Sequence, residues 1–235
     1  MTFGGAPAPD PGCLLRLVQL CDSALPIGGY SHSWGLEAAI ARGQVAGPVD
    51  LEGWARAWLI HTVAPGDGLI VAHAARAAAA GDWEGLAGLN DLLTATKVAP
   101  TFRRASLMQG GALLGLASSW PWSGLAAARI QATGPGPWHH AVVFGALADV
   151  AGASPQEALA LYLQNAAGGV VAAAVRAVPI GHTHGQQVLA RLHPLLTDLA
   201  AQWAEAPLDR FGSLSPAYEV LGYAQTQLYT RIFQS

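Results

Sequence analysis

The sequence predicts an all-α fold, a single-domain bundle of about eight to ten helices, on three observations. Apolar residues recur at spacings of three and four almost throughout. No segment alternates apolar and polar residues as a half-buried strand does. Helix-start and helix-stop residues punctuate the chain at helical lengths. Composition agrees: 52% of the 235 residues are hydrophobic and 11% charged, with net charge −3, the reverse of a chain that stays unfolded. One domain over 13–235 is expected, behind a flexible tail over 1–12 that is Pro/Gly-rich and lacks the basic start and apolar run of a signal peptide.

The elements follow in order. Ala24 to Glu37, rich in glycine and hydroxyl residues, reads as a loop leading into a helix that carries Leu36, Ala39 and Ile40. Leu51, Trp54, Ala55, Trp58 and Leu59 form one stripe, with Glu52 and Arg56 paired on another face and Asp50 as the expected cap. A second helix is expected from its cap Asp67 to about Ala80, stopping at Gly81, and a third from its cap Asp82, turning Leu86, Leu89 and Leu93 inward. Arg103 and Arg104 open another helix, where a cation opposes the macrodipole; one is then held by a carboxylate or a partner, or both are simply solvated. Ser119 to Trp138 reads as a long surface loop. Ser154-Pro155-Gln156-Glu157 is a capping box with proline at the first helical position, followed by Leu159, Tyr162, Leu163, Ala166, Ala167 and Val170. Thr183 with Gln186 repeats the box, Pro194 is expected to kink or split the helix that follows, and Ser215-Pro216 opens a last helix.

Composition excludes several classes. A pI near 6.2 with no basic run argues against a nucleic-acid surface. No uncharged apolar run reaches 18 residues, and the most hydrophobic window read, Leu69 to Ala80, holds His73 and Arg76, so no membrane span is expected. Cys13 and Cys21 make neither a CxxC nor a disulfide framework, which favours a reducing cytosol and a cytoplasmic protein. The sole lysine, Lys97, follows no glycine-rich loop, and neither GxxxxGK[ST] nor GxGxxG occurs, so the chain has no phosphate cradle of its own. There is no GxSxG elbow and no SxxK.

The eight histidines include no i, i+3 or i, i+4 pair and no HExxH. His182 and His184, flanking Thr183, are the best pair for one ion, and with His139 and His140 they define an alternative reading as a metal-binding or hydrolytic protein. A further alternative is a small-molecule binder with its pocket lined by the Trp-rich helix over 51–63; ordinary core packing explains that helix equally. Glu37, one turn into its helix, is either a capping acid reaching back to the loop or a functional carboxylate.

Leu25-Pro26-Ile27-Gly28-Gly29-Tyr30-Ser31-His32-Ser33-Trp34-Gly35-Leu36-Glu37 resembles the signature loop of the UreF family of urease accessory proteins. Phe102-Arg103-Arg104-Ala105-Ser106 with Met108 and Gly110, His140 to Gly145, Ala174-Val175-Arg176 with Pro179, Gly181, Gly185 and Gln186, and the terminal Tyr229-Thr230-Arg231-Ile232-Phe233-Gln234-Ser235 are similar to further segments of that family in the same order. The resemblance covers about residues 14 to 235. Three positions depart from it: Thr101 stands where a glutamate is usual, Gln225 where a histidine is frequent, and His182 where glutamine is common.

The resemblance implies a non-enzymatic, all-α adaptor. It would form homodimers, bind UreD (also called UreH), and through that complex recruit the GTPase UreG to apo-urease for nickel insertion. It would bind no cofactor directly, nickel and GTP being handled by its partners, and would touch neither nucleic acid nor membrane. Residue chemistry adds where docking is expected. The loop with Tyr30, Ser31, Ser33, Gly35 and Glu37, and the tail with Tyr229, Arg231 and Phe233, hold the aromatic and arginine types of interface hot spots and are expected to form one surface. Arg103 joins these as a partner-binding residue, and Arg176 serves either a helix contact or that interface. Tail residues seldom order unless tied down, so 229–235 are expected to be mobile alone and fixed in the complex.

Overall fold

The computed structural model describes residues 10–212 and 215–235, all in helices, turns and loops, with no strand among them. Residues 1–9 of the expected tail lie outside the described set. Residues 10–12 do not belong to a tail: Asp10 accepts from the Gly12 and Cys13 amides and caps helix α1, Pro11–Leu20. The other α-helices are α2 (Leu36–Ala41), α3 (Pro48–Trp58), α4 (Leu69–Ala79), α5 (Trp83–Thr96), α6 (Pro100–Ala117), α7 (Gly124–Ala132), α8 (His140–Ala151), α9 (Pro155–Ala177), α10 (His182–Ala204) and α11 (Pro216–Thr226). A π-helical stretch, Leu59–Gly68, joins α3 to α4 into one rod with a kink at Gly66. With those two counted as one, the eleven become ten, within the expected range.

At the centre is α8, nine of whose residues are buried, Phe144 with no exposed surface. Burying such a side chain fully stabilises by about 1.5 to 3 kcal/mol. It packs most extensively on α4 and also on α6. Gly145 is what lets α8 and α4 meet, since a Cβ there would run into the Val71 carbonyl. Around this pair stand α9 and α10, which pack along each other. The helix α9 is long and apolar enough, by length and composition, to cross a membrane, with mean hydropathy 1.5 over its best window. Gln164 and Asn165 break its apolar run, so the sequence holds no unbroken apolar stretch of 18 residues there. Half of the window is buried in the protein, against α10, α4 and α8.

Local expectations fare unevenly. The Ser154 capping box is present in both directions, with Pro155 leading α9. Asp82 caps α5. Asp50 does not cap α3: Gly47 holds that position, and Asp50 reaches back from the first turn to the Ala46 amide at 3.0 Å. Asp67 sits past the Gly66 kink and binds Lys97 Nζ at 2.7 Å instead of an amide. Thr183 caps nothing, because α10 already begins at His182 with Gly181 before it. Pro194 neither splits nor ends α10. It stands exposed beside Ala190, so the carbonyl it deprives of a donor can turn to water, and the Arg191 carbonyl accepts from Arg56 at 2.9 Å. The loop expected over 119–138 contains α7, in which Ala126, Ala127 and Ile130 are buried.

Candidate functional site

The loop before α2 is shaped by left-handed residues. Gly28 has φ +79, and a single 3₁₀ turn, Gly29–Ser31, follows. Trp34 at φ +55 and Gly35 at φ +84 then swing the chain into α2. A side chain at Gly35 would meet Leu221 and the Phe102 ring at 3.2 Å, so both conformation and space require glycine. The Glu37 amide donates to Ser33 Oγ at 3.4 Å, which puts a hydroxyl on an otherwise unpaired donor of the helix start.

The chain's last residues lie against this loop. The Ser235 carbonyl accepts from the Ser33 amide at 2.5 Å, the Trp34 amide at 3.0 Å and Ser33 Oγ at 2.8 Å. The Gln234 amide donates to the Ser31 carbonyl at 2.8 Å, and Ser235 Oγ lies 2.8 Å from His32 Nδ1. Burial holds the His32 imidazole below its ordinary value. One turn further, the buried Glu37 carboxylate accepts the Ile232 amide at 2.6 Å, the Phe233 amide at 3.2 Å and Gln225 Nε2 at 2.5 Å. Two backbone donors and one amide on a single carboxylate are charge-assisted bonds, each stronger than a neutral one.

Arg176, on the last turn of α9, completes the arrangement. Its guanidinium carbon lies 3.5 Å from the Tyr30 ring centroid and 4.6 Å from that of Phe233, while Nε donates to the Ala172 carbonyl at 3.1 Å. A cation touching two rings fixes loop to tail and sits favourably at a helix C-terminus. Phe233 is buried; Tyr30 is 70% exposed, and Tyr229, Arg231 and Ile232 of the tail are exposed as well. The outcome is a set of exposed aromatic and cationic side chains on segments held by a buried, hydrogen-bonded frame.

Of the ten residues singled out from sequence, five, Tyr30, Ser33, Glu37, Arg176 and Phe233, are linked by direct contacts, and Ser31 joins them through Gln234. Gly35 turns the loop that presents them, and Tyr229 and Arg231 lie exposed on the segment leading in. Arg103 is elsewhere, on α6, with a single long bond to the Thr94 carbonyl at 3.4 Å. In the chain by itself Ser33, Glu37 and Phe233 are buried and hold the tail. The segment expected to be mobile alone is packed onto its own chain at Ile232 to Ser235. Sequence reasoning did not assign His32, Trp34, Gln225 or Ser235 to the site; Gln225 was visible only as a departure from the family pattern.

Beneath the loop lies a cavity of about 330 Å³, lined by Tyr30, Trp34, Trp58, Asp67, His140 and Tyr218 among others. The Trp-rich helix thus does reach a cavity through Trp58. Asp67 pairs with Lys97 there, and burial raises the Tyr162 and Tyr218 hydroxyls well above their ordinary value. His139 and His140 are pulled down to about 4, by burial first. The His139 ring lies 3.0 Å from Ser106 Oγ and 3.1 Å from Thr94 Oγ1; His140 packs against Phe144 and Tyr162. His182 and His184 are exposed on α10, and among the described residues no three His, Cys, Asp or Glu side chains gather to hold an ion.

The UreF family model matches residues 45–193. A urease accessory protein UreF of Cereibacter sphaeroides is 36% identical over 226 residues, covering 94% of this chain and 98% of that one. Its counterpart in Paenarthrobacter aurescens is 34% identical over 223 residues, covering 94% and 97%. That of Rhodopseudomonas palustris is 32% identical over 237 residues, covering 100% and 97%.

Proposed function

The chain belongs to the UreF family of urease accessory proteins, and from that premise we propose that it is a non-enzymatic adaptor bridging UreD (UreH) and the GTPase UreG for GTP-dependent nickel insertion into apo-urease. The observation that carries the reading is the loop and tail surface. Its exposed members, Tyr30, Tyr229 and Arg231, are of the types that dominate binding energy at interface centres. Its frame is already assembled by the bonds of Ser33, Glu37 and Ser235. A pre-formed surface loses less conformational entropy on docking than a segment that must order. This suits a protein whose task is to hold other proteins together.

On this reading nickel is cargo and GTP is bound by UreG; the chain supplies position and no chemistry. The absence from the sequence of a glycine-rich phosphate loop supports that division. The protein works as a homodimer in the cytoplasm, without nucleic acid or membrane. The test is co-purification of the full chain with UreD and UreG, read by complex size. Assembly that is retained by the parent chain and lost on Tyr30→Ala with Arg231→Ala supports the reading. Failure of the parent chain to assemble with either partner overturns it.

A further inference from the structure

We propose that the exposed face of α6 is a second docking surface, apart from loop and tail, and that it takes an acidic amphipathic helix of a partner protein. A groove of about 560 Å³ runs there, lined among others by Arg103, Arg104, Leu107, Met108, Gly111 and Pro137. Met108 is 52% exposed and, with Leu107 and Pro137, gives the groove an apolar wall. Further along the same face, Gly111 and Gly115 have open space where a Cβ would stand. A partner backbone can therefore approach closely.

The charge of the groove sets what fits it. Among the described residues the ion pairs to carboxylates are made by Arg56, Arg76, Lys97 and Arg191; Arg103 and Arg104 make none. Both stand near the start of α6, where the helix dipole disfavours a cation, and no acidic residue occupies its first turn. Two guanidinium groups without a carboxylate partner at the start of an apolar strip match carboxylates beside a small or apolar stripe, and guanidinium binds carboxylate in a two-bond fork. A second copy of this chain is the poorer occupant, because a two-fold contact centred on the groove sets each pair of arginines against its own image with no carboxylate between them.

The test uses the full chain and a synthetic helical peptide of about five turns, with leucine and alanine on one stripe and glutamates beside it; a second peptide carries lysines for the glutamates. Fluorescence anisotropy is expected to show binding of the glutamate peptide that weakens between about 50 and 200 mM salt. Arg103→Glu with Arg104→Glu is expected to lower its affinity by about tenfold or more, while Tyr30→Ala with Arg231→Ala leaves it unchanged. The first pair of substitutions lies on exposed or half-exposed positions, and an unchanged melting temperature confirms that the variant is folded. No binding of the glutamate peptide, equal binding of the lysine peptide, or an unaffected double variant overturns the proposal. So does a homodimer that the Arg103, Arg104 variant converts to monomer. Because the peptide arm needs no urease protein, its failure is distinguishable from failure of the adaptor reading.

Discussion

Glu37 Oε1 lies 2.6 Å from the backbone nitrogen of Ile232, across 195 positions of sequence. The bond makes a carboxylate in the first turn of a six-residue helix the anchor of the chain's far end. Phe233 and Gln225 donate to the same side chain, and Ser33 continues the seam to Ser235. The exposed Tyr229 and Arg231 thereby belong to a segment that Glu37 and Ser33 tie to the loop carrying Tyr30.

Glu37→Gln keeps the shape but removes the charge and one acceptor oxygen. Bonds to a charged group contribute about 1.5 to 3 kcal/mol each, so about 2 kcal/mol of tail attachment is expected to go. Hydrogen exchange at the Ile232 and Phe233 amides should speed up at least tenfold, with α8 amides unaffected. Unchanged protection of those two amides would contradict the anchor.

Arg176→Ala removes the cation between Tyr30 and Phe233 and the stem that packs there. A contact of this kind is worth about 0.5 to 2 kcal/mol. The variant should show a modestly lower melting temperature, looser tail exchange and weaker assembly. Arg176→Lys should recover only part of this, since a compact ammonium cannot lie flat against two rings as a guanidinium does.

Lys97→Met leaves the Asp67 carboxylate without its counter-ion in the cavity wall, where Asp67 Oδ1 already lacks a partner. Breaking one side of a buried pair costs about 3 to 5 kcal/mol; both side chains keep some exposure here, so about 2 kcal/mol is expected. Adding Asp67→Asn should restore most of it. Denaturant unfolding of the two single variants and the double variant measures the coupling.

Acid should destabilise the fold in a defined window. Burial holds His139 and His140 near 4 in the folded chain, against 6.5 otherwise. The unfolded chain takes up both protons near pH 6.5 while the folded chain refuses them until about 4. Stability is therefore full above pH 6.5, falls progressively to about pH 4 and levels below, with at most about 3 kcal/mol from each histidine. His32 shifts in the same direction. His139→Gln should flatten the profile between pH 6.5 and 4; an unchanged slope would remove His139 from the account.

What was legible in the sequence was local. The Ser154 box, the Asp82 cap and the inward Leu86, Leu89 and Leu93 all depend on residues within a turn or two. Asp50 and Asp67 were misread because an aspartate near a helix start is a good cap only where a free amide faces it, and here one bonds to Ala46 and the other to Lys97. The middle of the 119–138 stretch folds as α7 although its flanks are breakers, since burial of Ala126, Ala127 and Ile130 outweighs composition. At the site, residue type revealed that loop and tail belong to one surface. It did not reveal which side chains face inward. That Glu37 and Phe233 are frame while Tyr30 and Arg231 are face is a property of contacts some 200 positions apart, and no local pattern encodes it.

The most direct measurement is nickel-dependent activation of apo-urease in a mixture of UreD, UreG, GTP and this chain, comparing the parent with Tyr30→Ala, Arg231→Ala. Arg231 is exposed and Tyr30 mostly so, and the variant loses only the Tyr30 contact with Arg176, so it should stay folded with a melting temperature only modestly below the parent's. The adaptor account predicts that it fails to support activation. Undiminished activation by a folded double variant would contradict the loop and tail surface as the seat of function.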